Sequence, residues 1–160
     1  MWKAGHSLIK AKMQREGALL AGELSGHLFF AERYFGYDDA VYAGARLLEI
    51  LTHTRSRLRD LLSDVPQPAS TPEIRMECAD DKKFTVVETL TRRFKREGRS
   101  VIDVDGARVL IDGGWGLVRA SNTQPALVMR FEARDQERLD EIREGFMERV
   151  REAVDEASCD

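Results

Sequence analysis

Apolar residues recur every three or four positions in several stretches of the chain, and this spacing predicts amphipathic helices. The last stretch is the clearest, and its apolar positions are Leu139, Ile142, Phe146, Val150 and Val154. Glutamate and arginine fill the positions between them, so residues 134–152 should also carry a solvated, salt-bridged face. We expect the apolar stripe to be core rather than a surface for a partner.

Three further helices are expected earlier in the chain. One covers residues 82–95, and its apolar face consists of Phe84, Val87, Leu90 and Phe94. A short helix is expected over residues 7–15, and another runs from the acidic pair Asp38-Asp39 to near Leu51, because acids favour the first helical turn. The charged residues 52–62 are also predicted to be helical.

Alternation of apolar and polar residues predicts strands. They cover residues 18–22, 73–78, 116–120 and 126–132, with a hairpin over 101–111 that turns at Asp105-Gly106. In the segment 126–132, Leu127, Met129 and Phe131 can face a core while Arg130 faces the other way. The strand over 18–22 is expected to be buried. The C-terminal part therefore predicts an α+β fold, in which two helices cover one face of an antiparallel, four-stranded-type sheet.

Three of the four prolines fall within residues 65–72 and indicate a domain boundary. We predict an N-terminal part over residues 1–51, a linker over 52–72 and a C-terminal domain over 73–160. One evident strand and two helices cannot close a layered α/β domain by themselves. The N-terminal part should therefore expose apolar surface, and the residues expected there are Phe29, Phe30, Tyr34 and Phe35.

The amino-acid composition limits the classes of protein to which the chain can belong. The chain has 160 residues, of which 42% are hydrophobic and 33% charged, which favours a folded protein over a disordered one. The 25 basic and 28 acidic residues create no broad positive field, so nucleic acid is not an expected partner. No run approaches the roughly 20 apolar residues that cross a membrane. Cys78 and Cys159 are far apart, which favours reduced thiols and a cytoplasmic location.

The segment Arg119-Ala120-Ser121-Asn122-Thr123, with Arg130 eleven positions after Arg119, has the composition of a phosphate cradle. Arginine offers a fork of donors that fits phosphate oxygens, and serine, asparagine and threonine add neutral donors. Because strands are predicted on both sides, the cradle should lie at a hairpin tip. The alternative is that both arginines are ordinary surface residues and that the connecting segment is only a turn.

Residues 22–30, with the sequence Gly-Glu-Leu-Ser-Gly-His-Leu-Phe-Phe, form a second polar motif. The glycines allow close approach of a ligand to the backbone. A carboxylate at Glu23 and a hydroxyl at Ser25 can bind a vicinal pair of sugar hydroxyls. The alternative is that Glu23 is a surface charge and that His27 is a histidine satisfied beside buried phenylalanines.

These two motifs in this order, with residues 36–39 (Gly-Tyr-Asp-Asp) and residues 2–7 (Trp-Lys-Ala-Gly-His-Ser), closely resemble the bacterial phosphomannomutase/phosphoglucomutase family of the alpha-D-phosphohexomutase superfamily. The resemblance extends to the final helix and so covers essentially the whole chain. It implies part of an α/β domain 3, which carries the sugar-recognition loop at 22–30, followed by the phosphate-binding domain 4.

The resemblance also implies a reaction and a set of site residues. The parent enzymes interconvert hexose 6-phosphate and hexose 1-phosphate, of mannose or glucose, through a bisphosphorylated sugar of the glucose 1,6-bisphosphate type. By this resemblance the phosphate is bound by Arg119, Ser121, Asn122, Thr123 and Arg130. The sugar is contacted by Glu23, Ser25, Gly5, His6 and His27. The two histidines can act either as contacts or in proton transfer, and this remains open.

The family's phosphoserine motif and its magnesium loop are both absent from this sequence. The isolated chain is therefore expected to be inactive and to need the missing N-terminal domains as partners, and Mg²⁺ is expected only in the full-length enzyme. The acidic segment 103–106 is interpreted as a hairpin turn, so no metal site is expected in this chain. Two alternatives stay open, a stand-alone sugar-phosphate binding module and a protein-interaction module without catalysis.

Overall fold

A computed structural model describes residues 1–159, apart from the side chain of Cys159, and divides the backbone into two units between Pro66 and Gln67. The division falls within the predicted linker 52–72. The predicted reduced state of Cys159 lies outside what is described. None of the helices in the described part of the chain is both long and apolar enough to cross a membrane.

The N-terminal unit contains two helices and a two-stranded ribbon. Its elements are α1 (His6–Glu16), β1 (Leu20–Gly22), β2 (Leu28–Phe30), α2 (Ala40–Thr52) and a 3-10 turn at Leu58–Asp60. The strands pair antiparallel with Ala21 opposite Phe29. Asp39 caps α2, because its Oδ1 accepts a hydrogen bond from the Tyr42 amide at 2.9 Å.

The C-terminal unit is a six-stranded antiparallel sheet with two helices on one face. Its elements are β3 (Ala69–Ser70), β4 (Ile74–Glu77), α3 (Lys83–Arg96), β5 (Ser100–Ile102), β6 (Ala107–Ile111), β7 (Gly114–Ala120), β8 (Ala126–Ala133) and α4 (Gln136–Cys159). The strand order is β3-β8-β7-β6-β5, and β4 also pairs with β8. The predicted α+β class is confirmed, β5 and β6 form the predicted hairpin, and the short strand β3 extends the predicted sheet. The last residues of the predicted linker thus belong to the sheet.

The core of the C-terminal unit lies between the sheet and its two helices. Leu127, Met129 and Phe131 are fully buried, as the alternation along β8 predicts. The predicted stripe of α4 is also core, since Leu139, Ile142, Phe146 and Val150 are buried. Helix and sheet approach closely at Gly116, where an added Cβ would lie 2.7 Å from the Phe146 ring. These contacts fix β7 and β8 in place.

One predicted core position of α3 is wrong. Phe84 is 58% exposed, and Lys83 occupies the buried position instead with only 5% exposure. Lys83 precedes Leu90 by seven positions and so lies on the same helical stripe as Val86, Val87 and Leu90. The buried face of α3 therefore begins at Lys83, one residue earlier than expected, and its first side chain is charged.

Several predictions for the N-terminal unit also need correction. The strand at Leu20–Gly22 is not buried, because α1 covers one side of the ribbon and leaves Leu20 58% exposed. The fully buried residue is Phe29, which packs with Ile9 and Met13 although it was expected to be exposed. Phe35 is 74% exposed, in agreement with the prediction of exposed apolar surface.

The charged segment after α2 is not the predicted helix. Helix α2 ends at Thr52, and only the 3-10 turn at Leu58–Asp60 follows before the division between the units. A local side-chain contact competes with helix formation, because the Thr54 hydroxyl accepts a hydrogen bond from the Ser56 amide at 3.1 Å.

Candidate functional site

The register of β7 and β8 places the two predicted phosphate-binding arginines on one face of the sheet. Arg119 lies opposite Val128, and Arg130 lies opposite Leu117. Directly opposed residues of an antiparallel pair share a face, and alternate residues along a strand share it too. Arg119 and Arg130 therefore both project from the face that the helices do not cover, on adjacent strands.

Neither arginine has a hydrogen-bonding or ionic partner within residues 1–159, and both are partly exposed. Most other arginines of the same unit are paired, although the exposed side chains of Arg96, Arg99 and Arg151 also lack a partner among the described residues. Arg138, for example, donates to the Asp112 carbonyl and pairs with Glu141. Because their charges have no partner among the described residues, Arg119 and Arg130 offer two guanidinium groups to an anion.

The connection between β7 and β8 is ordered by Ser121. Its hydroxyl oxygen accepts hydrogen bonds from the amides of Thr123, at 3.3 Å, and Gln124, at 3.1 Å. The hydroxyl hydrogen stays available to donate, because a hydroxyl carries one donor besides its acceptor sites. Asn122 and Thr123 are exposed at the surface of this loop. The sequence motif therefore folds into the predicted hairpin connection, with the side chains of Asn122 and Thr123 exposed and that of Ser121 buried.

A third arginine on this face was missed by the sequence analysis. Arg75 of β4 lies opposite Val128 on the other side of β8, so it shares the face of Arg119. Its guanidinium donates to the Gln124 side chain in the loop and to Glu73. No sequence signal links Arg75 to the loop, because β4 and β8 are about fifty positions apart in the chain.

The hairpin turn between β5 and β6 abuts Arg119. Gly106 has a φ of +80°, and a Cβ added there would lie 2.2 Å from the Val118 carbonyl and 2.7 Å from Arg119 Cβ. Only glycine fits this position.

The ammonium of Lys95 holds the pKa of Asp103 below its ordinary value through a hydrogen bond of 2.6 Å. No cluster of three or more metal-ligating side chains occurs among residues 1–159.

In the N-terminal unit, three of the predicted sugar-binding residues come together. Glu23 Oε1 accepts a hydrogen bond from the Gly5 amide at 2.7 Å, and the Ser25 hydroxyl donates to Glu23 Oε2 at 3.4 Å. Gly26 closes the loop with a φ of +92°. The Glu23 carboxylate and the Ser25 hydroxyl thus lie side by side, which suits a pair of neighbouring hydroxyl groups.

His27 is held by Asp38, whose carboxylate oxygen lies 2.5 Å from His27 Nδ1. This contact puts a proton on Nδ1 and leaves Nε2 free, either as an acceptor or as a second donor. From the sequence, Asp38 was expected only to mark the start of a helix, and its contact with His27 was not predicted. His6 begins α1 and is exposed, and its side chain makes no hydrogen bond within the described residues.

Aromatic side chains lie beside this loop. The rings of Tyr34 and Tyr42 stack with centroids 3.9 Å apart. The Tyr34 hydroxyl donates to Asp39 Oδ2 at 2.5 Å and, together with the Tyr42 amide, holds the pKa of Asp39 below its ordinary value. The same contact raises the pKa of Tyr34. Asp39 therefore orders the aromatic segment as well as the start of α2.

Comparison with known proteins gives two family matches that together cover most of the chain. Residues 1–69 match the model of phosphoglucomutase/phosphomannomutase alpha/beta/alpha domain III, and residues 73–149 match the model of the C-terminal domain. The chain belongs to the phosphoglucomutase/phosphomannomutase family and comprises domain III and C-terminal domain sequence.

Individual relatives agree with this assignment. The chain is 50% identical over 155 residues to a phosphomannomutase/phosphoglucomutase of Pseudomonas aeruginosa, a match that covers 97% of this chain and 33% of the relative. It is 47% identical over 148 residues to a phosphoglucomutase of Neisseria gonorrhoeae, covering 91% of this chain and 32% of the relative. The chain therefore spans about a third of the length of these relatives.

A solved structure shares the fold. The crystal structure of a phosphoglucomutase/phosphomannomutase family protein from Burkholderia thailandensis is similar with a TM-score of 0.83 and 43% sequence identity. The similarity covers 96% of this chain and 32% of that protein.

Proposed function

We propose that this chain supplies substrate binding in a phosphohexomutase that interconverts hexose 6-phosphate and hexose 1-phosphate, of mannose or glucose, through a bisphosphorylated sugar. The observation that carries the proposal is that Arg119 and Arg130, which have no partner within residues 1–159, lie together on the open face of the sheet beside an exposed polar loop. Two guanidinium groups match the charge of a phosphate dianion. The relatives named phosphomannomutase/phosphoglucomutase make a hexose phosphate the expected ligand.

The phosphate ligands in this proposal are Arg119, Arg130, Ser121, Asn122 and Thr123. The arginines supply charge, Asn122 and Thr123 supply neutral donors on the exposed side of the loop, and the buried Ser121 hydroxyl supplies another. Binding energy from a phosphate that does not react can position the reacting hydroxyl of the sugar. This part of the chain then contributes orientation rather than bond making.

The sugar ligands in this proposal are Glu23 and Ser25, with Gly5, His6 and His27 around them. The Glu23 carboxylate accepts hydrogen bonds from hydroxyl groups, and the Ser25 hydroxyl can accept or donate. His27, with Nδ1 held by Asp38, presents Nε2 as a further contact or proton carrier. A titration with mannose 1-phosphate should shift the amide signals of residues 23–27 in the chain but not in its Glu23→Gln variant.

We further propose that the isolated chain does not turn over substrate. The magnesium of the parent enzymes finds no fitting set of side chains among residues 1–159, so no step involving the metal is assigned to this chain. A cytoplasmic location is proposed because the substrates of such enzymes are sugar phosphates and because Cys78 is a free thiol whose pKa burial raises. A coupled assay for glucose 6-phosphate formation should give no activity, and measurable turnover would contradict this part of the proposal.

Calorimetric titration with glucose 1-phosphate tests the phosphate site. Arg119→Ala should weaken binding by about 10- to 100-fold, since a hydrogen bond between charged groups is worth roughly 1.5–3 kcal/mol. The matched control is Arg151→Ala, which removes the same charge from an exposed position on α4. Equal weakening in both variants, or no binding by the unaltered chain, would refute the proposed site.

A further inference from the structure

A buried lysine lies directly beneath the proposed phosphate loop. Lys83 is 5% exposed, and its ammonium group donates to the Gln124 main-chain carbonyl at 3.0 Å and to Asp80 Oδ1 at 2.6 Å. Gln124 belongs to the connection between β7 and β8. Its carbonyl also accepts a hydrogen bond from the Ala126 amide at 2.8 Å. The lysine therefore contacts the inner side of the loop that presents Asn122 and Thr123 outward.

A contribution to the stability of α3 does not explain why a lysine occupies this buried position. A charged side chain is seldom so deeply buried, because removing it from water is costly unless it is paired. A cation in the first turn of a helix is also unfavourable, since the helix dipole is positive at that end. An apolar residue would extend the stripe formed by Val86, Val87 and Leu90 without either cost.

The Asp80 partner compensates the charge only in part. The side chain of Asp80 is 71% exposed, whereas that of Lys83 is 6% exposed. Water therefore screens the carboxylate much more than the ammonium. We therefore expect the Lys83 charge to remain partly uncompensated on the inner side of the loop.

We infer that Lys83 is a positioning residue for the phosphate site. Its ammonium fixes the Gln124 end of the loop, and its charge strengthens the binding of an anion by Arg119, Arg130 and the loop donors without contacting the anion. This inference rests on the proposed function, and it adds a residue that lies outside the phosphate-binding motif.

Titration of the full chain with inorganic phosphate, in three variants of this pair, tests the inference. Lys83→Met should weaken phosphate binding about 5- to 20-fold, because it removes a positive charge from the inner side of the loop. It should also reduce the dependence of affinity on salt concentration. Lys83→Arg keeps the charge and should restore most of the affinity.

Asp80→Asn separates an electrostatic role from a purely structural one. The amide oxygen can still accept from Lys83, but the compensating charge is lost, so phosphate should bind about two- to threefold more tightly. A role limited to holding the loop predicts equal or weaker binding. Because Asp80 is exposed, this variant should fold even if Lys83→Met does not.

The outcomes distinguish this inference from the function on which it rests. Weaker binding by Lys83→Met with tighter binding by Asp80→Asn supports the inference. Unchanged binding by Lys83→Met, or unchanged or weaker binding by Asp80→Asn, overturns it, provided that Arg119→Ala still weakens binding by about 10- to 100-fold. Failure of the unaltered chain to bind phosphate overturns the proposed function and this inference together.

Discussion

The two units of the chain differ in how much core supports their binding residues. In the C-terminal unit eighteen buried apolar residues form one cluster between the sheet and its helices. In the N-terminal unit the corresponding cluster has three members, Ile9, Met13 and Phe29. The arginines of the proposed phosphate site project from strands whose other faces form the large core. The sugar loop is held by a few hydrogen bonds, such as that between Glu23 and the Gly5 amide.

This difference indicates that the two sites are prepared for ligand to different degrees. Regions with few buried contacts open locally at low free energy, whereas core strands open only with global unfolding. The phosphate site should therefore be preformed in this chain. The sugar loop should be more mobile in the free chain.

The largest effect is expected from Phe131→Ala, which removes a fully buried ring from β8. The free energy of unfolding of the C-terminal unit should fall by about 4 kcal/mol, as for other buried phenylalanines. Denaturation monitored by Trp115 fluorescence measures this. Phe35→Ala is the control, because Phe35 is 74% exposed, and it should change stability by less than about 0.5 kcal/mol. Similar losses in the two variants would contradict the unequal cores.

A smaller effect is expected at the turn that abuts Arg119. Gly106→Ala should cost about 2–3 kcal/mol, because strain at positive φ adds to a clash with the Val118 carbonyl. Gly98→Ala is the matched control, since Gly98 has a φ of +73° but nothing within 4 Å of an added Cβ, and it should cost only about 1 kcal/mol. The denaturant midpoints of the two variants measure this difference in stability. A Gly106→Ala protein as stable as Gly98→Ala would mean that the turn does not press on β7.

Much of this fold follows from periodicity, and the exceptions have a common physical origin. The α4 stripe and the alternation in β8 are local patterns, and both were predicted correctly. The choice of Lys83 over Phe84 for the buried position depends on a carbonyl at Gln124, which is distant in sequence. Arg75 was missed for the same reason, because its place beside the loop depends on the pairing of β4 with β8. The sequence did contain a signal for the burial of Lys83, because Lys83 precedes the buried Leu90 by seven positions and so lies on the same face of α3.

Hydrogen exchange compares the two units directly. Amides of β1 and β2 should exchange at least about tenfold faster than those of β7 and β8, a difference of roughly 1.4 kcal/mol in opening free energy. Each ribbon strand has three residues, whereas β7 and β8 have seven and eight. Exchange measured by mass spectrometry or NMR provides the comparison. Equal protection of the amides in both units would contradict the expected difference in local stability.

The smallest effect is expected from the titration of Asp39. Its pKa is lowered in the folded chain by the Tyr34 hydroxyl and the Tyr42 amide. A lowered pKa stabilises the fold above the ordinary value of about 4, and this contribution is lost as the pH falls through the folded pKa. Asp39→Asn keeps a capping oxygen but cannot titrate there, so acid should destabilise it less than the unaltered chain. Parallel acid unfolding curves for the two proteins would contradict this role for Asp39.

The central claim is that β7 and β8 carry a preformed phosphate site. Its most direct test is to follow the amide signals of the whole chain while glucose 1-phosphate is added. The account predicts saturable shifts with one dissociation constant at residues 119–125 and at Arg130, and no shifts in α4. The cavity of about 180 Å³ lined by Arg99, Arg138 and Arg149 is the competing location. Shifts confined to that cavity, or no saturable shifts at residues 119–125, would contradict the claim.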